Sequence, residues 1–196
     1  MNFGPGHGIF SVLKSIMKRS SFKILLLLAP LALLGLPWAF TRFSSGERDQ
    51  EQVARNYYTV LLFIIVMGLA ASGLLYGLAD LLCQTFIRGG REVLGAVQLS
   101  CLFLVAQILS RQAITYFSTF QRARMYSFFR LFQPVATIGL AVVVLMLGFG
   151  LGEVILSFAF VHLVIFAAGQ FLILRQIGFE RPDLRLLKPF LLFSLP

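Results

Sequence analysis

Charged residues are scarce in this chain. They make up 13% of its 196 residues, against about 25% in typical soluble domains, while apolar residues make up 58% and mean hydropathy is +0.86. A soluble helical bundle needs helices that each carry a polar outer face, and this composition is too apolar to supply them. The low charge therefore argues strongly against a soluble fold.

Residues suited to catalysis or metal binding are also few. The chain has two cysteines and two histidines, and Cys83 and Cys101 lack metal-ligand spacing. We expect both cysteines to be small buried hydrophobic residues rather than a disulfide. No phosphate-cradling glycine loop, no paired carboxylates inside an apolar run and no Ser/His/Asp set occurs. The sequence thus predicts neither an enzyme nor a metal or cofactor site.

Long charge-free apolar runs are what the chain has in abundance. Five of them contain 18 residues or more, and about 20 residues suffice for a helix to cross the roughly 30 Å hydrocarbon core. They predict an all-α integral membrane protein, a bundle of about five transmembrane helices plus the start of a sixth. The predicted spans are about 24–41, 56–79, 93–116, 131–148 and 154–174. Around this bundle, 24–174, lie a glycine-rich turn and basic segment at 1–23 and a connector with a truncated next helix at 175–196.

Basic residues are divided unevenly between the two predicted sides of the membrane. Connectors 42–55, 111–130 and 175–188 hold eleven Lys and Arg residues, whereas 80–92 and 148–153 hold two. Basic loops favour the cytoplasm, so we expect a multi-pass protein of the cytoplasmic membrane with the first three connectors inside. The net charge of +9 is then topological, and no nucleic-acid partner is expected. Lys14, Lys18, Arg19 and Lys23 fall on the other side, as an interfacial helix, an insertion or a non-natural start.

The richest polar stretch at a membrane boundary is "AQILSRQAITYFSTFQRAR". Within it Gln107 and Arg111 are four residues apart and share one face of a helix. An arginine there either contacts a phosphate through paired hydrogen bonds or extends its side chain to the interface. Gln107 and Arg111 are therefore candidate substrate-binding residues.

Three further arginines and one histidine complete the candidate site. Arg42, Arg122 and Arg124 fall in the predicted cytoplasmic connectors, where they set the topology and would also suit an anionic lipid-linked substrate. His162, in the last full span, shares a helical face with Gln170. It is either a hydrogen-bonded packing residue or a proton-coupling group.

Small residues recur in the second and fourth spans. They predict close contacts between helices, because a small side chain lets two backbones approach. The residues concerned are Gly68, Ala71, Ser72, Gly73, Gly139 and Ala141.

Four stretches, taken in order, resemble a known family. They are "FGPGHGIFSV" at 3–12, "LALLGLPWAFTRFSS" at 31–45, "FSTFQRARMYSFFRLFQPV" at 117–135 and "LLKPFLLFSLP" at 186–196. Their order and spacing resemble the oligosaccharide flippases, the polysaccharide exporters of the multidrug/oligosaccharidyl-lipid/polysaccharide exporter superfamily. In that family such segments follow the first helix, close the second and open the seventh.

The resemblance implies a fold and a function. The chain would form most of the first lobe of a two-lobe flippase, which moves lipid-linked oligosaccharide, such as a polysaccharide or O-antigen precursor, across the cytoplasmic membrane. Its implied partners are the lipid bilayer, an anionic lipid-linked sugar and a missing second lobe of the same longer chain. Alternatives are a drug or cation exporter of the same superfamily, which would call for intramembrane carboxylates, a membrane enzyme, and a non-transporting membrane fragment.

Overall fold

The computed structural model describes residues 37–83 and 91–194, and this part of the chain is built of helices and short connections. Residues 37–44 are helical. The other helices are α1 (Gln50–Leu82), α2 (Arg91–Thr119), α3 (Ala123–Met146), α4 (Leu151–Ile177) and α5 (Leu187–Ser194), with a 3-10 turn at Leu184–Leu186. Most of the predicted span 24–41 and all of segment 1–23 lie outside the described residues.

Four of the described helices are long and apolar enough to cross a membrane. They are Gln50–Asp80, Leu94–Thr119, Ala123–Met146 and Leu151–Ile177. Each contains or overlaps one of the predicted spans 56–79, 93–116, 131–148 and 154–174. The predicted all-α fold class is therefore confirmed.

Local sequence signals set several helix ends. Asp49 precedes α1, and its Oδ1 accepts a hydrogen bond from the Glu51 backbone N–H at 3.0 Å, which satisfies one unpaired donor of the first turn. The ends of α3 and α4 are followed by Gly148 and Gly178, with φ of 81° and 68°. Glycine adopts this left-handed conformation without steric cost, so both helices stop there.

The connection between α2 and α3 is much shorter than the predicted connector 111–130. α2 continues to Thr119 and α3 begins at Ala123, which leaves only a turn at 120–122. The charge-free criterion ended the span at the first arginine. An arginine on a helix can instead extend its long side chain to the interface, so the helix continues past it. Gln121 closes the turn with a φ of 51°.

The closest described approach of two helices joins α2 and α4. A Cβ placed on Gly169 would lie 2.9 Å from the Cβ of Ala113, so only glycine fits there. By contrast, a Cβ on Gly68, Gly73 or Gly139 would meet nothing within 4 Å. The prediction that these three glycines mark close helix contacts is therefore wrong.

An aromatic core joins the ends of the helices. Phe40, Tyr57 and Phe117 are fully buried; the rings of Tyr57 and Tyr116 meet edge to face at 5.5 Å, and those of Phe117 and Phe129 stack at 5.4 Å. Such pairs stabilise beyond the area they bury. Phe129 is the buried residue of α3, so that helix lies at the edge of the bundle.

Candidate functional site

Charge divides the described bundle into a basic end and an opposite end. The basic end is where α1 and α3 begin and α2 and α4 end. All Lys and Arg side chains that the structure describes lie in the helix halves or connections nearer to it: Arg42, Arg48, Arg55, Arg111, Arg122, Arg124, Arg130, Arg175, Arg181, Arg185 and Lys188. The opposite end carries Asp80 and Glu153. This asymmetry gives the bundle a clear polarity across the membrane.

A cleft of about 520 Å³ opens between α2, α3 and α4. Its polar lining comes from Gln107 on α2, from three residues of α3 and from His162 on α4. The full lining is Phe103, Gln107, Arg130, Gln133, Pro134, Thr137, Ile138, Phe158 and His162. The cleft thus combines a cation and amides with an aromatic and aliphatic wall.

Helical spacing explains how α3 supplies its part of the cleft. Arg130, Gln133 and Thr137 are three and seven residues apart and so lie along one face. Pro134 has no backbone N–H, so it leaves the Arg130 carbonyl without its usual helical donor. The Thr137 hydroxyl donates to the Gln133 carbonyl at 2.7 Å, a contact that tends to bend helices. The polar face of α3 therefore coincides with its weakest turn.

His162 lies at the base of the cleft and is only 4% exposed. Its Nδ1 lies 2.8 Å from the Phe158 carbonyl oxygen and its Nε2 lies 2.7 Å from Nε2 of Gln133. The Phe103 ring meets the imidazole edge to face at 5.2 Å. A neutral imidazole satisfies both hydrogen bonds if Nδ1–H donates to the carbonyl and Nε2 accepts from the Gln133 amide. We assign this tautomer from the hydrogen-bond network.

Arg130 is the charged residue of the cleft. It lies seven residues into α3, about 10 Å along the helix axis from Ala123, and its side chain is exposed. Among the described residues, no carboxylate lies within ion-pair distance of it. The Gln107 side chain is also exposed, across the cleft on α2. Both groups are consequently open to a ligand.

The structure brings together some of the predicted site residues and not others. Gln107 and His162 line the same cleft. Arg111 is exposed one turn beyond Gln107 on α2 but is not part of the lining. Arg122 lies in the turn before α3, and Arg124 is exposed in the first turn of that helix.

Arg42 is also placed away from the cleft. It is exposed on the helical segment 37–44, at the basic end of the bundle. Sequence reasoning missed Arg130, Gln133 and Thr137 as candidates. Their three- and seven-residue spacing around a proline was the available signal. It was overlooked because this stretch was assigned partly to a connector.

A second polar network ties α1 to α4. The Tyr57 hydroxyl donates to Oε1 of Gln170 at 2.8 Å, and the Gln170 amide donates to the Tyr58 hydroxyl at 3.5 Å. The Tyr58 hydroxyl in turn donates to the Gly178 carbonyl at 3.2 Å. Gln170, predicted to share a face with His162, thus contacts α1 whereas His162 contacts α3. This network stabilises the bundle rather than opening towards a cavity.

The connector after α4 is fastened to α1 by polar contacts. The Asp183 backbone N–H donates to the Thr59 hydroxyl at 2.8 Å, and Arg55 lies 3.9 Å from Glu180. A pocket of about 680 Å³ beside these contacts is lined by both acidic and basic residues. Its cation is already paired, so this pocket is better explained as part of the fastening.

Comparisons with known proteins add no relatives. No protein-family model, no curated protein and no solved structure matches the chain. The helices themselves define its class, because four apolar helices of membrane-spanning length lie side by side in the described part. The chain is a multi-pass helical membrane protein.

Proposed function

We propose that this chain is part of a transporter that moves an amphiphile with an anionic headgroup across the cytoplasmic membrane. Following the resemblance to the oligosaccharide flippases, the amphiphile is a lipid-linked oligosaccharide and the chain supplies most of one lobe of the transporter. The observation that carries the proposal is the cleft, in which the unpaired Arg130 lies beside two amides and an apolar wall.

The charge of the cleft favours an anion. An arginine within a membrane-spanning helix is costly unless it meets a partner, water or the interface. The cleft offers Arg130 no carboxylate from the described residues. A guanidinium pairs with a phosphate through two parallel hydrogen bonds, and the amides of Gln107 and Gln133 can bind further phosphate or sugar oxygens.

The rest of the lining favours a ligand that is also apolar. Phe103, Ile138 and Phe158 form a hydrophobic wall beside the polar groups. A volume of about 520 Å³ lies within the usual range for small-molecule sites, roughly 300–1,000 Å³. A phosphorylated headgroup followed by the first units of a lipid chain matches this mixture.

A cation exporter is less well supported. It would need a carboxylate near the transport path to hold its substrate. On the described spans the intramembrane acidic residues to consider are Asp80 and Glu153, both at the end opposite Arg130, and neither lines the cleft. The surroundings of the cleft therefore favour the anionic amphiphile.

Binding of a defined amphiphile tests the proposal. Purified protein in lipid nanodiscs is titrated with a short fluorescent polyprenyl phosphate and, separately, with the matching uncharged polyprenol. We expect saturable binding of the phosphate, and an increase in Kd of about ten-fold for Arg130→Gln, since a charge-assisted hydrogen bond contributes about 1.5–3 kcal/mol.

The matched control is Arg185→Gln, which removes the same charge from an exposed position in the 3-10 turn. Its Kd should stay within a factor of two or so of the original value, as expected for an exposed charge. Equal weakening by the two variants, or equal binding of phosphate and alcohol, would show that the protein attracts anions generally and that the cleft is not the ligand site. Flipping of a fluorescent lipid-linked sugar in proteoliposomes, with the completed transporter, then tests movement itself.

A further inference from the structure

We propose that the hydrogen bond between Gln133 and His162 is a proton-sensitive latch. It holds α3 against α4 while His162 is neutral, and it releases α3 and widens the cleft when His162 takes up a proton. This inference rests on the proposed function, because it concerns the control of the same cleft.

The latch lies where α3 is mechanically weakest. Pro134 follows Gln133 directly and deprives the Arg130 carbonyl of its helical hydrogen bond. Kinks and hinges in helices occur at such positions. In the described chain, the contact of Gln133 with His162 is the hydrogen bond that joins the side chains of α3 and α4. Breaking it would therefore free the helix at the point where it bends most easily.

Little else holds α3 in place. Phe129 is its buried residue, and its outward face is highly exposed. That face consists of large apolar side chains suited to lipid: Phe128, Leu131, Val135, Ile138 and Val142. Because lipid replaces lipid when the helix moves, sliding or bending of α3 costs little hydrophobic contact.

The chemistry of the imidazole gives the latch its direction. In the neutral form Nε2 accepts from the Gln133 amide. In the protonated form Nε2 carries a hydrogen and faces that amide donor, so the contact is lost unless the amide turns over. Nδ1 stays bonded to the Phe158 carbonyl in both forms. Histidine is the side chain whose charge changes near neutral pH.

The charged surroundings of His162 oppose its protonation as long as the cleft is empty of anions. From α3 the imidazole faces Arg130, a second cation; α2 presents the uncharged Gln107 and Phe103, and the neighbouring turn of α4 presents Phe158. Turning the Gln133 amide would repair the hydrogen bond but would not remove the repulsion between two cations. A bound phosphate would relieve it, so anion binding and proton uptake should each favour the other.

Distance measurements on α3 and α4 test the latch. Spin labels are attached to Leu131→Cys and Phe160→Cys, two exposed positions on these helices, in protein whose native Cys83 and Cys101 are replaced by alanine. The distance is measured by pulsed electron paramagnetic resonance in nanodiscs from about pH 8 to about pH 5, the range of the histidine charge change. We expect the distance to increase by several ångströms on acidification.

Two variants isolate the chemistry. His162→Gln keeps a hydrogen-bonding side chain that cannot be charged, so its distance should stay short at every pH. Gln133→Leu removes the partner, so its distance should be long at every pH. His162→Asn replaces the first variant if that one does not fold, as judged by circular dichroism. A distance that ignores pH in the unmodified protein, or that responds equally in His162→Gln, overturns the latch.

The latch and the proposed function can fail separately. If the distance ignores pH but polyprenyl phosphate still binds through Arg130, the latch is wrong and the ligand site stands. If the distance responds to pH through His162 but Arg130→Gln binds the phosphate normally, the latch stands as a property of the fold. The proposed ligand is then wrong.

Discussion

At the scale of single residues, the most unusual position is Gln112 on α2. Its side chain is fully buried, and neither its amide nitrogen nor its amide oxygen has a hydrogen-bond partner. Buried polar groups are nearly always paired, since leaving one unpaired costs about 1–3 kcal/mol. Gln112 differs in this respect from the neighbouring Ser110, whose hydroxyl donates to the Gln107 carbonyl at 2.9 Å.

Gln112→Met tests the cost of this amide. Methionine has nearly the same length and volume but no polar atoms, so we expect the variant to be more stable by about 1–3 kcal/mol. The measurement is thermal unfolding in detergent, followed by circular dichroism. Gln98→Met, at a partly exposed position of the same helix, controls for added hydrophobicity. A loss of stability in Gln112→Met would mean that the amide has a partner that stabilises the native protein.

Sequence reasoning reached some of these residues but not their partners. It singled out His162 because a titratable side chain in an apolar span is unusual, and it singled out Gln107 for the same reason. Hydrogen-bond partners on other helices, such as Gln133, depend on how helices rotate against each other. Periodicity within one helix does not determine that rotation, and so the pairing of Gln133 with His162 required the structure.

At the scale of helices, the packing of α2 on α4 depends on one small residue. Gly169 lies where a Cβ would come within 2.9 Å of the Cβ of Ala113, well inside van der Waals contact. Gly139, on α3, has no such neighbour within 4 Å. Both are glycines in apolar helices, and only their positions relative to other helices distinguish them. Small residues in a sequence therefore indicate where close packing is allowed without showing where it occurs.

The two glycines form a matched pair for mutation. Gly169→Ala must push α2 and α4 apart, and we expect it to destabilise the protein by about 1–3 kcal/mol, the usual cost of overpacking. Gly139→Ala should be neutral or slightly stabilising, because alanine is the better helix former by about 1 kcal/mol. Unfolding by a denaturing detergent measures both. Equal effects of the two substitutions would contradict the close contact at Gly169.

At the scale of the whole molecule, charge and the cleft point the same way. Every described Lys and Arg side chain lies towards the basic end, and the charged part of the cleft, Arg130, lies in that half of α3. The sequence predicts that this end faces the cytoplasm. The number of spans and their polarity could be read from charge-free runs because membrane insertion depends on composition. The cleft could not, since it arises from three helices meeting.

Labelling of single cysteines in intact cells tests this orientation. Leu184→Cys places a thiol at the basic end and Phe149→Cys places one at the opposite end, both at exposed positions, with Cys83 and Cys101 replaced by alanine. A membrane-impermeant maleimide should label Phe149→Cys in intact cells and Leu184→Cys only after the membrane is permeabilised. The reverse pattern would place Arg130 on the outer side. An anionic ligand made inside the cell would then reach the charged part of the cleft only after crossing, so the inward orientation is the one that a flippase requires.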